Sequence, residues 1–440
     1  MPIESVPNSD LSYYLVAFDA NGQERRDDPD GLMSERLCSD LARDPVTDVF
    51  LFSHGWKGDV PSARKDYADW LSAAAACAAD LEQLRGRRPG FRYVFVGLHW
   101  PSQPWGDEEF GGGSDAVSFA PGEAAAVEAL VDRYAERIAD TPTARQALRT
   151  IITTSQQPSP PELPEDVRAA YAILNREADL GSDGPGADPG ADREPFDPEA
   201  RYQLAQEEAP LSFGIGETVG NLILSPLRQL SFWKMKDRAR RLGESGAHSF
   251  LRSLQENRKD VRLHLMGHSF GCIVMSAAVA GPPGGDGLSR PIESLVLVQG
   301  ALSLWSYCSD IPYRRGQSGY FNPLVVRERV SGSIVTTRSQ FDLAVGRWYP
   351  LGAGAARQIT FAPGELPRYG GVGTFGLQGP GLNLVDGVMQ DANLPYDFEA
   401  GRVYNLESSN VIRNGGGASG AHSDIAHPEV GHLIWAASLV

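Results

Sequence analysis

Three side chains of this sequence stand where nucleophilic attack on a carbonyl would need them. Ser269 lies in Gly267-His268-Ser269-Phe270-Gly271, a GxSxG pattern that is weak by itself. Its surroundings sharpen it. An apolar run, Val261 to Met266 (VRLHLM), precedes it, and the small-residue stretch Cys272 to Val279 follows. Strand, tight turn and helix form the setting that holds a serine hydroxyl at a strained elbow, with glycines where neighbouring backbone passes close. A serine hydroxyl needs a base, and the base needs an orienting acid.

The expected order after such an elbow is acid, then histidine. Asp342 lies just past the β-branched run Ser333 to Thr337 (SIVTT) and is the preferred acid; Asp310, after the preceding run, is the alternative. Among the histidines near the end, His422 follows the glycine-rich stretch 414–421 beyond the last strand and is the preferred base. His427 precedes Pro428 and reads as a helix-entry residue. His432 falls within an apolar helical stretch and reads as structural. Two amides are expected to bind the oxyanion: that of Phe270, after the nucleophile, and that of Trp56, in the loop His54-Gly55-Trp56. His54 is expected to buttress that loop.

These residues follow a series of apolar runs. Leu11 to Phe18 closes on Asn21-Gly22, and Val46 to Phe52 leads into the His54 loop. Phe91 to Leu98, Val261 to Met266, Ser294 to Val298, Ser333 to Thr337 and Arg402 to Leu406 continue the series. Between them lie helical spacings, such as Tyr67, Trp70, Leu71, Ala74, Ala78 and Leu81, and a terminal helix from Pro428. Short strands buried on both faces, joined by crossover helices, predict a mostly parallel α/β sheet with its reactive site at the carboxyl ends of the strands.

The alternation is interrupted. Residues 1–101 and 242–440 read as two parts of one core, and 102–241 as a cap over the strand ends. Helices are expected in the cap at Gly122–Ile138 and Glu165–Ala178; the segment Asn221–Leu242 is apolar first and basic later, with a helix expected over Leu230–Arg241. Residues 156–210 hold 13 acidic and 4 basic residues, and 181–197 (GSDGPGADPGADREPFD) reads as a mobile loop. The stretch from Leu230 to Arg241 sets Phe232, Trp233 and Met235 beside a basic cluster, so membrane contact through the cap is a second, less favoured reading. Tyr369 to Gly381 lacks a phosphate-loop ending and reads as a surface loop. Trp100, Trp105 and Trp305 read either as an acyl pocket or as core.

Composition bounds the partners. The net charge of −16 disfavours nucleic acid, which needs a basic face. Much of that acidity sits in the insertion, so it says little about the substrate. Four scattered cysteines without a CxxC pair argue against a disulfide scaffold or a structural zinc site. No secretory signal or membrane-spanning run is visible, so a soluble cytoplasmic protein is the expectation.

The segments LFSHGW (51–56), VGLHWPS (96–102), LMGHSFG (265–271), TTRSQFD (336–342) and AHSDIAHPEV (421–430) together resemble the α/β-hydrolase superfamily of serine hydrolases. With their strands they cover roughly half of the chain. The resemblance implies an α/β-hydrolase fold, Ser269, Asp342 and His422 as a catalytic triad, and a cofactor-independent hydrolase of carboxylic esters, including acyl or lipid esters. The elbow and the HG loop are shared by esterases, lipases, thioesterases, amidases and peptidases. An amidase or peptidase with the same triad, or a catalytically silent binding protein on the same fold, is therefore the alternative. The long insertion departs from a minimal hydrolase and leaves the pocket shape undefined.

Overall fold

A computed structural model of the chain describes residues 3–7, 9–26, 31–56, 60–102, 124–212, 222–349 and 366–440. Its centre is a nine-stranded, mostly parallel sheet flanked by helices. The strands are β1 (Glu4–Ser5), β2 (Ser12–Ala17), β3 (Asp48–Ser53), β4 (Tyr93–His99), β5 (Arg262–His268), β6 (Ser294–Val298), β7 (Ile334–Arg338), β8 (Leu384–Val388) and β9 (Val403–Glu407), in the order β1-β2-β4-β3-β5-β6-β7-β9-β8. Only β1 is antiparallel to its neighbour. The two strands without a sequence signal are β1 and β8, both at sheet edges. β8 is a half-exposed LVDGV segment, with no continuous apolar run to mark it.

The inner strands are buried on both faces, and all of β3 and β6 is inaccessible to solvent. Opposite faces carry separate apolar cores. One gathers Val49, Leu51, Leu263, Leu265 and the helix after the elbow; the other gathers Phe50, Phe52, Tyr67, Trp70 and Trp435. Helices α1 (Met33–Arg43), α2 (Val60–Ala75) and α3 (Ala78–Arg87) precede the cap. One continuous helix was expected through Tyr67 and Leu81. It is instead broken between α2 and α3, where the Cys77 thiol donates to the Ala73 and Pro428 carbonyls.

The cap contributes α4 (Ala124–Arg137), α5 (Pro142–Ser155), α6 (Glu165–Ala178), α7 (Pro198–Ser212) and α8 (Ser225–Leu242). Gly122, Asn221 and Trp105 lie outside the described residues. The cap has its own core of Val131, Leu148, Ile151, Val167, Tyr171, Leu174, Leu227, Leu230 and Trp233. Helical structure continues across the expected cap boundary at residue 241. α8 runs through a π-helical turn, Gly243–Ala247, directly into α9 (His248–Asn257), which leads to β5. Gly243 is required in that turn, because a Cβ there would lie 2.4 Å from the Ala277 Cβ of the elbow helix, α10 (Gly271–Ala280). The terminal helix is α11 (Pro428–Ala437).

Two expected loops are packed instead. In 181–197, residues Gly184–Gly186 and Pro189–Arg193 are buried. The Asp192 carboxylate accepts the Gly186 amide (2.9 Å), the Lys236 ammonium (2.9 Å) and the Tyr349 hydroxyl. Asp188 accepts the amides of Gly190 and Ala191, and Tyr320 N–H donates to Gly186. A polar network thus supplies the order that apolar content could not. The second loop, Tyr369 to Gly381, buries Tyr369, Val372 and Leu377 and forms a helical turn at Val372–Phe375. Its glycines let it lie against β6 and β9: a Cβ on Gly373 would come 2.8 Å from the Gln299 carbonyl carbon, and one on Gly376 2.4 Å from Asn405.

Part of the basic half of α8 is also turned inward, while Arg241 is exposed. Trp233, Met235 and Lys236 are buried, and Phe232 packs edge-on to Trp56 and Tyr349. The apolar residues proposed for membrane contact therefore face protein. Among the described residues, no helix is long and apolar enough to cross a membrane.

Burial pushes the Lys236 ammonium down from its usual range, opposed by Asp192. Removing one partner of such a buried pair strands the other. Lys236→Met is expected to cost about 3 kcal/mol or more in urea unfolding, and to open 184–193 to limited proteolysis, which the wild type resists.

Candidate active site

Strand order decides which loops meet. β3 pairs with both β4 and β5, with Ser53 opposite Gly267, so the His54 loop and the Ser269 turn leave the sheet side by side. β9 inserts between β7 and β8, so the segments carrying Asp342 and His422 leave from adjacent strands. All four segments emerge at the carboxyl edge, where ligands of open parallel sheets bind.

Ser269 occupies the left-handed region with φ +55°, a conformation that costs a non-glycine residue about 1–2 kcal/mol. Its surroundings hold it there. The Ser269 amide donates to Val298 O (3.2 Å), and the Ala301 amide donates to Ser269 O (3.1 Å). The elbow glycines are required by close approach: a Cβ on Gly267 would lie 2.5 Å from Gly271 O, and one on Gly271 2.1 Å from Ser53 O. Gly55 packs on the serine itself, leaving 2.4 Å between its own hypothetical Cβ and that of Ser269.

The three expected side chains are joined. His422 Nε2 lies 2.8 Å from Ser269 Oγ, and His422 Nδ1 lies 2.8 Å from Asp342 Oδ2. Ser269 is 5% exposed and Asp342 1%. The second carboxylate oxygen of Asp342 accepts the Val345 amide (2.9 Å), which fixes the carboxylate plane. The glycine-rich loop reaches the acid through a bridge between Asp342 and Gly420, and the Ala421 amide donates to Phe341 O (2.8 Å). Gly420 has φ +57° and would place a Cβ 2.3 Å from Phe341 O, so the contact needs glycine. With Nδ1–H donated to Asp342, Nε2 is free to accept the serine proton.

The alternatives stand elsewhere. Asp310 accepts the Gly316 amide (2.6 Å) within a local turn. His427 caps α11 and contacts Asp424 (2.8 Å), whose other oxygen accepts the Arg413 and Asn414 amides. His432 contacts both oxygens of Asp80 (2.8 Å each) and donates to Leu394 O (2.7 Å), tying α11 to α3.

The loop after β3 is rigidly held. His54 Nδ1 donates to Gly55 O (2.9 Å), and the Trp100 indole donates to His54 O (3.1 Å). The Tyr67 hydroxyl accepts the His54 amide (3.0 Å) and donates to Leu98 O (2.5 Å). Burial drives His54 down to about 4, against the pull of Gly55 O, so it is neutral near pH 7. It therefore supports the loop without carrying charge. Neither the Trp56 nor the Phe270 amide meets an acceptor among the described residues, and Trp56 lies against the Phe270 ring (5.7 Å between centroids). Phe270 precedes the first turn of α10, where the helix dipole favours negative charge. Trp100 and Trp305 are buried and bonded to backbone carbonyls, as core residues are.

Sequence reasoning missed two contributors. His268 Nε2 donates to His422 O (2.9 Å), and its ring lies 5.0 Å from that of His422. Gln299 is fully buried beside Asp342. The only sequence signal for either is position, next to the nucleophile or one residue past a strand.

His432 gives a pH test of its structural role. Burial lowers its proton affinity, but Asp80 and Leu394 O outweigh that and raise it above the usual value. A raised native pKa adds stability that is fully present below the unfolded value of about 6.5 and is lost as pH rises through the native one. The stability gap between wild type and His432→Gln is therefore expected to be widest in urea titrations at pH 5–6 (approximately) and to narrow towards pH 8 or so.

No family model matches the chain, and neither a curated protein nor a solved structure shows significant similarity to it.

Proposed function

We propose that this chain is a serine hydrolase of the α/β-hydrolase fold, cleaving carboxylic esters through an acyl-enzyme on Ser269. The observation that carries the reading is the unbroken relay from Ser269 Oγ to His422 to Asp342, with 2.8 Å at each step. His422 takes the Ser269 proton as Oγ attacks the carbonyl carbon. Asp342 holds the imidazole tautomer and stabilises the imidazolium. The Trp56 and Phe270 amides stabilise the tetrahedral oxyanion. The imidazolium then protonates the leaving alcohol, and the same base activates water to release the acid. Every step uses protein groups and water, so the reading calls for no cofactor.

The acyl side is read as apolar. Phe232, from the cap, packs on both Phe270 (5.3 Å) and Trp56 (5.9 Å), the two residues whose amides would bind the oxyanion. This aromatic wall favours an acyl chain or an aromatic acid over a charged one. The cap thereby sets which acyl groups fit.

The test is a fluorophosphonate probe together with short p-nitrophenyl esters. Wild type is expected to be labelled, and Ser269→Ala is not. His422→Gln is expected to lower ester turnover by about 10⁴-fold, while His427→Gln stays within about threefold of wild type. No labelling and no ester hydrolysis by folded wild type would overturn the reading in favour of a silent binding protein.

A further inference from the structure

Gln299 stands directly after β6 with its backbone in the left-handed region (φ +46°), which a buried non-glycine residue adopts only when its surroundings impose it. Its strand end is bonded to the nucleophile on one side: Val298 O accepts the Ser269 amide, and the Ala301 amide donates to Ser269 O. On the other side its own amide donates to Thr337 Oγ1 (3.0 Å), on the strand that leads to the acid. The side chain is 0% exposed. With its amide oriented to satisfy its neighbours, the nitrogen donates to Gly373 O (2.6 Å) and to Asp342 Oδ2 (3.2 Å). Oδ2 is the oxygen that His422 Nδ1 contacts. Gly373 makes room for this, since a Cβ there would lie 3.0 Å from Oδ2.

We propose that Gln299 is a positioning residue of the triad: its side-chain amide holds Asp342 Oδ2 in place and tunes the basicity of His422 through it. The proposal rests on the serine-hydrolase reading above. Oδ2 has two donors to share, one from His422 and one from Gln299. The amide draws off part of the carboxylate charge and prevents the group from rotating towards other partners. Without it, a less satisfied Oδ2 faces the imidazole and binds its Nδ1–H more strongly. The second proton of His422 is then held more tightly, and the acidic limb of activity moves to higher pH. Among the described residues, the groups that contact this pair include Ser269 and His268 from the elbow. His268 donates to the His422 carbonyl.

The rate of fluorophosphonate labelling against pH reads this without knowledge of the natural ester. Gln299→Met keeps the length and apolar contacts but loses the donor. It is expected to label about 10- to 100-fold more slowly at neutral pH, with its acidic limb displaced upward. Gln299→Glu supplies a titrating replacement. Protonated, it donates to Oδ2 as the amide does; ionised, it repels Asp342. Its labelling is expected to fall as pH rises, where wild type keeps its plateau. The low-field proton resonance of His422 Nδ1–H, followed by NMR, is expected to shift in Gln299→Met, and it reads the contact even if labelling is slow. A folded Gln299→Met with wild-type labelling, an unshifted limb and an unchanged resonance overturns the proposal. Absence of labelling in wild type overturns the serine-hydrolase reading, and this inference with it.

Discussion

Everything at the carboxyl edge depends on how closely backbones approach at the elbow. The Ser269 turn is pressed between the β3 loop and the first turn of α10, with Ser53 O, Gly55 and Gly271 at distances that exclude any side chain. That compression holds Ser269 in a left-handed conformation and points its hydroxyl at His422. The strain at Ser269 is offset by the parallel pairing of β3, β5 and β6 and by its hydrogen bonds to Val298 O and from the Ala301 amide.

Asp342 and His422 arrive by a different device. Each sits on a loop, and loops are positioned by what they touch. Asp342 is held by the Val345 amide and Gln299; His422 is held by the Gly420 contact and by His268. Gln299 and the 369–381 segment form one layer beneath the acid, so a stretch that looks like surface loop in isolation is part of the site's foundation. A carboxylate buried this deeply is tolerable because each oxygen has donors.

The cap is joined to the core more firmly than an inserted lid would suggest. α8 continues through the π turn into α9, and Gly243 lets it pack against α10, the helix behind Ser269. The buried Lys236, Asp192 and Tyr349 cluster then links α8, the acidic segment and the residues just after Asp342. Phe232 stands over Phe270 from the same helix. Cap order and the aromatic contact on Phe270 are thus carried by one element.

Much of this was legible in the residues alone. Buried strands announce themselves by continuous β-branched and aromatic runs, so seven of the strands, the elbow and the order of Ser269, Asp342 and His422 follow from local pattern. Edge strands such as β8, half exposed and containing Gly387, leave no such mark. Composition misread 181–197 and 369–381, because glycine- and proline-rich segments can be ordered by partners distant in sequence, such as Lys236 and Gln299. By itself the sequence determined which residue types were present and the local geometry that their neighbours impose. Only the tertiary structure decided which histidine meets Ser269, which amide steadies Asp342 and where the cap's charges go. Those choices turn on contacts between residues up to 157 positions apart, such as Asp192 with Tyr349, and a linear pattern does not encode distances across a sheet.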